Sequence, residues 1–571
     1  MVNHKEMAFP VPDLSSLPAA VHPNLEERYH FPDLIQFHWQ YNPTRPIWAF
    51  PDDVHGWAEV SYTEFGRATH RAAWATRPDP HDPSDGQVVG LLAQSDTLVY
   101  QTVNIGLMVA NLVPLDISPR NSPAAILNLL QKTGCRRLLV TQHTLKELLD
   151  SVRALDSSLS IEEIPSLNQL YPQQSPTFRH YPTLPKPSFE STAIYIHSSG
   201  STGFPKPIPL THRSIWSYAN LPPLRELRDH HTEIRLGGLA IPAFHALALI
   251  MQLIHPLFGA FSGSILKPAV FDPTKDLPIM PTPENTLEAF ERTSTNATMI
   301  FPTFLQIWSK DPESVKRLAK LEYVVLTGGP LDVESGDALV RQGVQLRTIY
   351  GGTEFGQINH LRARPGDEKE WQYMEFNQSR VGVRWLDAGG VNRGEILLLH
   401  TETHVPAISN LPEDVARKFT HEHTSQAEVD GWVKGDKTVS RFDEKTGLVE
   451  GYSTSDVWER HPTKPWLFKL VGRVDDVLIH SSGEKTVPGP MEKIVMESSH
   501  VKGAVIFGHG RPQPGILIEP VNSNISLVEL RNAIWYVFQP IPPLSSTHLT
   551  TGLKLTQPTP LLQHLAGSTK K

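Results

Sequence analysis

The sequence predicts an α/β protein with a large N-terminal domain of parallel and mixed sheets flanked by helices, and a small α+β C-terminal domain. Three observations lead to this reading. Over 87–141, short apolar runs alternate with helix-like periods: QVVGLLA, LVYQTVNIGLMVANL, VPLDI, a second helical stretch, then RRLLVT. This is the punctuation of βαβ units, which build a mostly parallel sheet with helices packed on it. The rhythm returns at 192–196 (TAIYI), 298–301 (TMIF), 323–326 (YVVL) and 346–350 (LRTIY), each run ending in a Gly-, Pro- or Ser/Thr-rich turn. Finally, 571 residues exceed one typical core, so two or more domains are expected.

Composition narrows the function. Hydrophobic residues make up 39% and charged residues 20%, which favours folding over disorder. A net charge of -8 with no Lys/Arg run argues against nucleic acid as a partner. The one cysteine, Cys135, excludes an internal disulfide framework and a multi-cysteine metal site, and fits a reducing compartment. The first 13 residues carry Lys5 and no continuous apolar core of the kind a secretory signal needs, so a cytoplasmic protein is expected. Residues 236–266 contain no Asp, Glu, Lys or Arg and are long enough to span a bilayer, but Pro242, His245, Gln252, His255 and Pro256 interrupt them. Buried soluble helices are the expectation there, with no membrane partner.

Other stretches mark the organisation. The polar tract 412–450 reads as a hairpin-rich or loop region with turn signals at Asp430-Gly431 and Thr446-Gly447. The proline-rich stretches 171–187 and 540–543 read as linkers or surface loops. A second, smaller domain begins near Arg473, dividing the chain into 1–472 and 473–571.

The strongest motif is YIHSSGSTGFPKPIPLTH at 195–212. A strand feeds a loop in which Ser198, Ser199, Ser201 and Thr202 supply hydroxyls, Gly200 and Gly203 let backbone amides approach a ligand, and Lys206 adds positive charge. That combination suits a polyphosphate. It is not the GxxxxGK[ST] pattern, because the lysine is displaced and followed by proline. Farther on, Tyr350-Gly351-Gly352-Thr353-Glu354-Phe355-Gly356 closes a strand with two glycines, a hydroxyl and a carboxylate. A hydroxyl can hold a phosphate oxygen, and a carboxylate can ligate Mg²⁺, a hard cation that prefers oxygen. The bland alternatives are a Ser/Gly-rich surface loop for the first string and a tight turn capped by Thr353 for the second.

Together these strings resemble the adenylate-forming superfamily, which includes acyl-CoA synthetases, luciferases and the adenylation domains of peptide synthetases. HSSGSTGFPKPI looks particularly like the fungal adenylation domains coupled to reductases. The resemblance covers roughly 32–520, and its motifs fall in the family's order. It implies that Thr353 contacts the phosphate, Glu354 the metal, and Tyr350, Gly351 and Gly352 the adenine and acyl pocket. Thr327-Gly328-Gly329-Pro330 is similar to a turn lining the nucleotide face. Ala243-Phe244-His245 matches the aromatic-histidine motif bordering carboxylate and phosphate, with Ala246, Leu247 and Ile250 facing an apolar or aromatic acyl group. Tyr452-Ser453-Thr454-Ser455-Asp456 resembles the (S/T)GD strand, with serine at Ser455 where glycine is usual and Asp456 on the ribose hydroxyls. In Leu470–Ile479, similar to the GRxDD segment, Arg473 pairs with ribose or phosphate and Asp475 is the hinge. The following string, 480–485, has Gly483-Glu484 before Lys485, as reductase-linked adenylation domains do.

The resemblance implies an enzyme that adenylates an organic, aromatic or apolar carboxylic acid with ATP and Mg²⁺, releasing pyrophosphate. Lys206, His245, Thr353 and Glu354 form the catalytic set. The acyl group then passes to a thiol on CoA or on a phosphopantetheine carrier, or to a reductase, in secondary metabolism. Neither a carrier segment nor a GxxGxxG dinucleotide fold is legible, so the chain is expected to work alone or with a separate carrier or reductase, or to be a fragment or altered gene product. The family's terminal lysine-bearing loop is matched only by Gly552-Leu553-Lys554. An acyl-CoA ligase, or a nucleotide-binding pseudoenzyme without that lysine, is therefore the alternative.

Overall fold

The computed structural model describes residues 19–173, 177–198, 204–230, 233–377, 380–387, 392–425, 443, 445–474, 478–479, 485–486, 488–508 and 514–537. The chain forms two compact units, one of 1–384 and 397–453, the other of 385–396 and 454–571.

The first unit is built on two sheets. In chain order its strands are β1 (Pro46–Asp52), β2 (Gly56–Ser61), β3 (Val88–Leu92), β4 (Val113–Asp116), β5 (Arg137–Val140), β6 (Ser160–Glu163), β7 (Thr192–Ser198), β8 (Lys206–Thr211), β9 (Arg235–Gly237), β10 (Ser262–Ser264), β11 (Ala297–Ile300), β12 (Tyr323–Leu326) and β13 (Leu346–Thr348). One sheet runs β6-β5-β3-β4-β7-β8 and the other β13-β12-β11-β9-β10-β1-β2. Each is parallel throughout except for an antiparallel edge strand, β8 in the first and β2 in the second. Every run taken as a strand in 87–141, 192–196, 298–301, 323–326 and 346–350 lies in one of these sheets.

The crossover helices follow local chemistry. Helix Tyr62–Thr76 starts in a capping box, Ser61 accepting from Glu64 N while the Glu64 carboxylate accepts from Ser61 N at 2.9 Å. Helix Pro123–Thr133 has Ser122 as its N-cap and Pro123 at its first position, and ends at Gly134 with φ +67°. Apolar faces of these helices and strands meet in separate cores, one around Leu92, Leu115, Ile126 and Leu138, the other around Phe290, Leu305, Trp308 and Leu346.

One expectation needs correction. The tract 412–450 opens with a helix, Glu413–Ser425, rather than a loop. Its buried Ala416 and Phe419 stand three residues apart on one face, and Arg417 pairs with Glu413 one turn away at 2.6 Å. The turn at Thr446-Gly447 is present, with the Asp443 carboxylate accepting from Thr446 N at 2.7 Å, whereas Asp430-Gly431 lies outside the described residues. As expected, the described residues of 171–187 form a surface loop, anchored where Tyr171 and Tyr181 are buried, Tyr181 Oη donates to Arg77 O at 3.0 Å and Arg179 lies 3.5 Å above the Trp74 ring, whereas 540–543 lies outside the described residues.

The apolar stretch 236–266 contributes strand ends and a buried π-helical turn, Leu249–Ile254, between two short helices. Among the described residues no helix is long and apolar enough to cross a membrane.

In the second unit, strand Gly451–Arg460, from Thr454 onward, pairs antiparallel with Phe468–Arg473, setting Asp456 opposite Arg473. Hairpin Val501–Phe507/Gly515–Pro520 and helices Pro488–Met496 and Leu527–Val537 share a core of Val495, Val501, Leu530 and Ile534. This unit takes in more than 473–571, because strand pairing ties 454–460 to the strand that ends at Arg473.

Candidate active site

Parallel strands deliver their following turns to one edge of a sheet, where open α/β folds bind ligands. After β11 comes Phe301, after β12 Thr327-Gly328-Gly329, after β13 Tyr350-Gly351-Gly352, and after β9 the loop that ends at His245. Phe301 is the hub: the His245 ring stands edge-on to it at 6.2 Å and 87°. A Cβ at Gly328, where φ is +78°, would lie 2.7 Å from its ring. That turn therefore needs glycine for both conformation and space.

His245 is fixed in one tautomer. Its Nδ1 accepts from Leu247 N at 3.1 Å, so Nε2 carries the proton. Burial first and the nearby His197 second hold its pKa below the ordinary value, leaving a neutral donor at pH 7. Ala246, Leu247 and Ile250 are buried beside it in the chain.

The carboxylate-bearing turn is held more tightly than its sequence suggests. Short strands β14 (Gly351–Gly352) and β15 (Gly356–Gln357) pair antiparallel, and Thr353, Glu354 and Phe355 form the bend between them. A Cβ on Gly351 would sit 2.6 Å from Gly356 O, which the pairing excludes. All three bend carbonyls are tied from outside: Tyr218 Oη donates to Thr353 O at 3.2 Å, Ala407 N to Glu354 O at 2.6 Å and His404 Nε2 to Phe355 O at 2.8 Å. Burial first and the Glu354 carboxylate second raise the Tyr218 pKa, so Tyr218 stays a donor. Upstream, Asn359 Oδ1 accepts from Tyr350 N at 2.7 Å, and Tyr350 packs on Phe355 at 5.4 Å.

The hydroxyl-rich loop leaves a hairpin. Ser198 ends β7 opposite exposed Lys206, which begins β8. Just before it, His197 Nε2 accepts from Ser118 N, two residues past the end of β4, at 3.0 Å. Ser199, Gly200, Ser201, Thr202 and Gly203 lie outside the described residues, as do Asp475, 480–484 and Lys554.

Asp456 and Arg473 belong to the second unit, where they meet each other, Nη1 to Oδ1 at 3.4 Å. Ser455, before Asp456, has φ +59°. Sequence reasoning missed Phe301, Tyr218, His404 and Asn359, and gave His197 no role although it stands beside Ser198 in the quoted motif.

Comparisons with known proteins place the chain in a family. The family model described as AMP-binding enzyme matches 36–375, and that described as AMP-binding enzyme C-terminal domain matches 475–548. Adenylate-forming reductase Nps9 of Serpula lacrymans is 36% identical over 534 residues, covering 91% of this chain and 45% of that protein. A carboxylic acid reductase of Neurospora crassa is 26% identical over 503 residues, covering 86% and 43%. The chain thus spans less than half the length of these curated relatives. Among solved structures, Bacillus subtilis O-succinylbenzoate coenzyme A synthetase in complex with ATP and magnesium matches with a TM-score of 0.62 at 16% identity, over 88% of this chain and 92% of that one. The fold is thus the adenylate-forming one, with a large N-terminal and a small C-terminal domain, and since the first family match alone takes in more than half of the chain, the chain belongs to the AMP-binding enzyme family.

Proposed function

We propose that this chain adenylates an organic carboxylic acid, aromatic or apolar, with ATP, releasing pyrophosphate and handing the acyl group to a thiol or a reductase. The observation that carries the reading is the bend at Thr353-Glu354-Phe355, whose three carbonyls are all tied down. A bend held in this way fixes where its hydroxyl and carboxylate project, and preorganised groups act without reorganisation cost.

In this reading, Thr353 Oγ1 donates to an α-phosphate oxygen and His245 Nε2–H to the oxygen between acid and phosphate. Ser198, Ser199, Ser201, Thr202, the amides of Gly200 and Gly203, and Lys206 hold the outer phosphates. Tyr350, Gly351, Gly352, Gly328 and Gly329 line the adenine and acyl faces, Ala246, Leu247 and Ile250 give the acyl pocket an apolar wall, and Asp456 and Arg473 take the ribose. The acid's oxygen bonds to the α-phosphorus as the bond to the leaving pyrophosphate breaks, so no protein nucleophile is needed. Asp475 as hinge belongs to the same reading.

Mg²⁺ fits the donor chemistry. It is commonly held by one or two carboxylates together with phosphate oxygens and water, and Glu354 supplies one such carboxylate. When bound, the ion neutralises phosphate charge. The names of the relatives, adenylate-forming reductase and carboxylic acid reductase, support a reductase or carrier as the acceptor.

ATP–pyrophosphate exchange over a panel of aromatic and aliphatic acids tests this. Exchange with at least one acid is expected, reduced about a hundredfold in Glu354→Gln and Thr353→Ala. Nucleotide binding without exchange for any acid indicates a pseudoenzyme instead. CoA-dependent turnover by the chain alone indicates an acyl-CoA ligase.

A further inference from the structure

The loop that carries His245 is held by a buried chain of amides reaching across to the other sheet. Gln252 sits in the π-helical turn, where His255 N reaches back five residues to Ile250 O. Such turns are rare and recur at functional sites. Here the turn points the Gln252 amide at the loop: Nε2 donates to Gly238 O at 3.0 Å and to Ile241 O at 3.1 Å. The Gln252 backbone carbonyl accepts from Trp48 Nε1 at 3.2 Å.

Gln101, on helix Thr97–Val109, completes the clamp. Its Nε2 donates to Ala243 O, two residues before His245, at 3.1 Å and to Gln252 Oε1 at 2.8 Å. Asn104 continues the chain, Nδ2 donating to Gln101 Oε1 at 3.1 Å and to Asp116 Oδ2 at 3.3 Å. Asp116 ends β4, and two residues later Ser118 N donates to His197. All four members are buried.

The six side-chain N–H groups of the three amides are all used, so each amide has one orientation, and the acceptors on the loop are carbonyls that only a donor can hold. Burial pushes the Asp116 carboxyl up to about 8, so the chain ends on a neutral acid at pH 7 rather than a buried charge. Asn104 Oδ1 and Asp116 Oδ1 accept no hydrogen bond, but every amide N–H of the network is used, and losing one member strands further polar groups away from water.

We propose that Gln252 and Gln101 are positioning residues for the adenylation reaction, clamping the carbonyls of Gly238, Ile241 and Ala243 so that His245 Nε2–H faces the reacting acid. The proposal rests on the role given to His245 above. Core stability alone does not require three of the amides' four donated bonds to Gly238, Ile241, Ala243 and Gln252 to end on the eight-residue loop that terminates at this histidine.

The test uses the full chain with ¹⁵N-histidine labelling, the His245 ring signals being assigned by their loss in His245→Gln. In the unsubstituted protein His245 should show a single tautomer with Nε2 protonated. Gln252→Met and Gln101→Met, similar in length but unable to donate, should convert this to a tautomer mixture. They should also lower the exchange kcat about tenfold while KM for ATP changes less than twofold. Gln101→Asn, one methylene shorter and still polar, is the milder variant and should move the same signals in the same direction. Thr76→Val, a buried polar change elsewhere in the unit, should lower stability while leaving the His245 signals in place. Unchanged His245 signals in every folded Gln101 and Gln252 variant overturn the proposal. Absence of exchange in the unsubstituted protein with any acid overturns the adenylation reading instead, and the ring signals still decide whether the amides position the histidine.

Discussion

Ser455 is an L-residue in a left-handed backbone conformation, with φ +59° directly before the candidate ribose ligand Asp456. A side chain with a Cβ costs about 1 kcal/mol or more there, so neighbouring bonds must impose the shape. They are visible: Val474 N donates to Ser455 O at 2.7 Å, and Asp456 N donates to Thr454 Oγ1 at 3.1 Å. The sequence motif usually has glycine at this point, and the geometry explains the preference. Ser455→Gly should therefore raise stability by up to about 1 kcal/mol, less the entropy that glycine loses on folding, and Ser455→Val should lower it by more. Urea unfolding of both variants measures this, and a Ser455→Val protein as stable as the unsubstituted one would show that the residue is unstrained.

At the scale of elements, the bend between β14 and β15 is the piece whose rigidity matters most. Tyr218→Phe removes one of its three carbonyl ties and leaves Thr353 O without that donor. We expect stability to fall by about 1 kcal/mol and kcat/KM for ATP in exchange to fall about tenfold, the latter corresponding to about 1.4 kcal/mol. Equal kcat/KM in the two proteins would mean that the tie does not govern the bend. The strands leading to this site were legible because each is a compact apolar run ended by a Gly-, Pro- or Ser/Thr-rich turn, and a parallel sheet buried on both faces writes that pattern directly. The ties were not, because Tyr218 lies 135 residues from Thr353 and His404 lies 49 from Phe355. No local period connects residues that distant. Helix Glu413–Ser425 was missed for a different reason: it buries Ala416 and Phe419 among charged neighbours, too thin an apolar face to outweigh a polar composition. Gly328 stands between these cases, since its glycine was visible in the sequence but its contact with Phe301, across two parallel strands, was not.

For the whole molecule, buried titratable groups set where the fold is most stable in pH. Burial lowers His38, His70 and His404 to about 4 and His212 and His255 to about 3. In the unfolded chain each protonates near 6.5, so between there and about pH 4 the unfolded state binds more protons and stability falls as pH falls, by about 1.4 kcal/mol per pH unit for each histidine. Asp96 and Asp116 act the other way. Burial raises them to about 6 and about 8, so the folded state keeps a proton that the unfolded state has released, and stability falls as pH rises above the ordinary carboxylate range. Between about pH 4 and 6 five histidines oppose two carboxyls, leaving a net loss of about 4.1 kcal/mol per unit of acidification. Above about pH 6.5 these five histidines no longer contribute, and Asp116, joined by His360, which against the cost of burial is raised by Glu226, gives a decline toward pH 8. Maximum stability is therefore expected near pH 6 to 6.5, measured as the urea midpoint across that range. His255→Leu should flatten the acid limb by about 1.4 kcal/mol per pH unit, and Asp116→Asn should lessen the alkaline decline. An acid limb equally steep with and without His255 would mean that this histidine is protonated in the folded protein, and that burial does not hold it neutral.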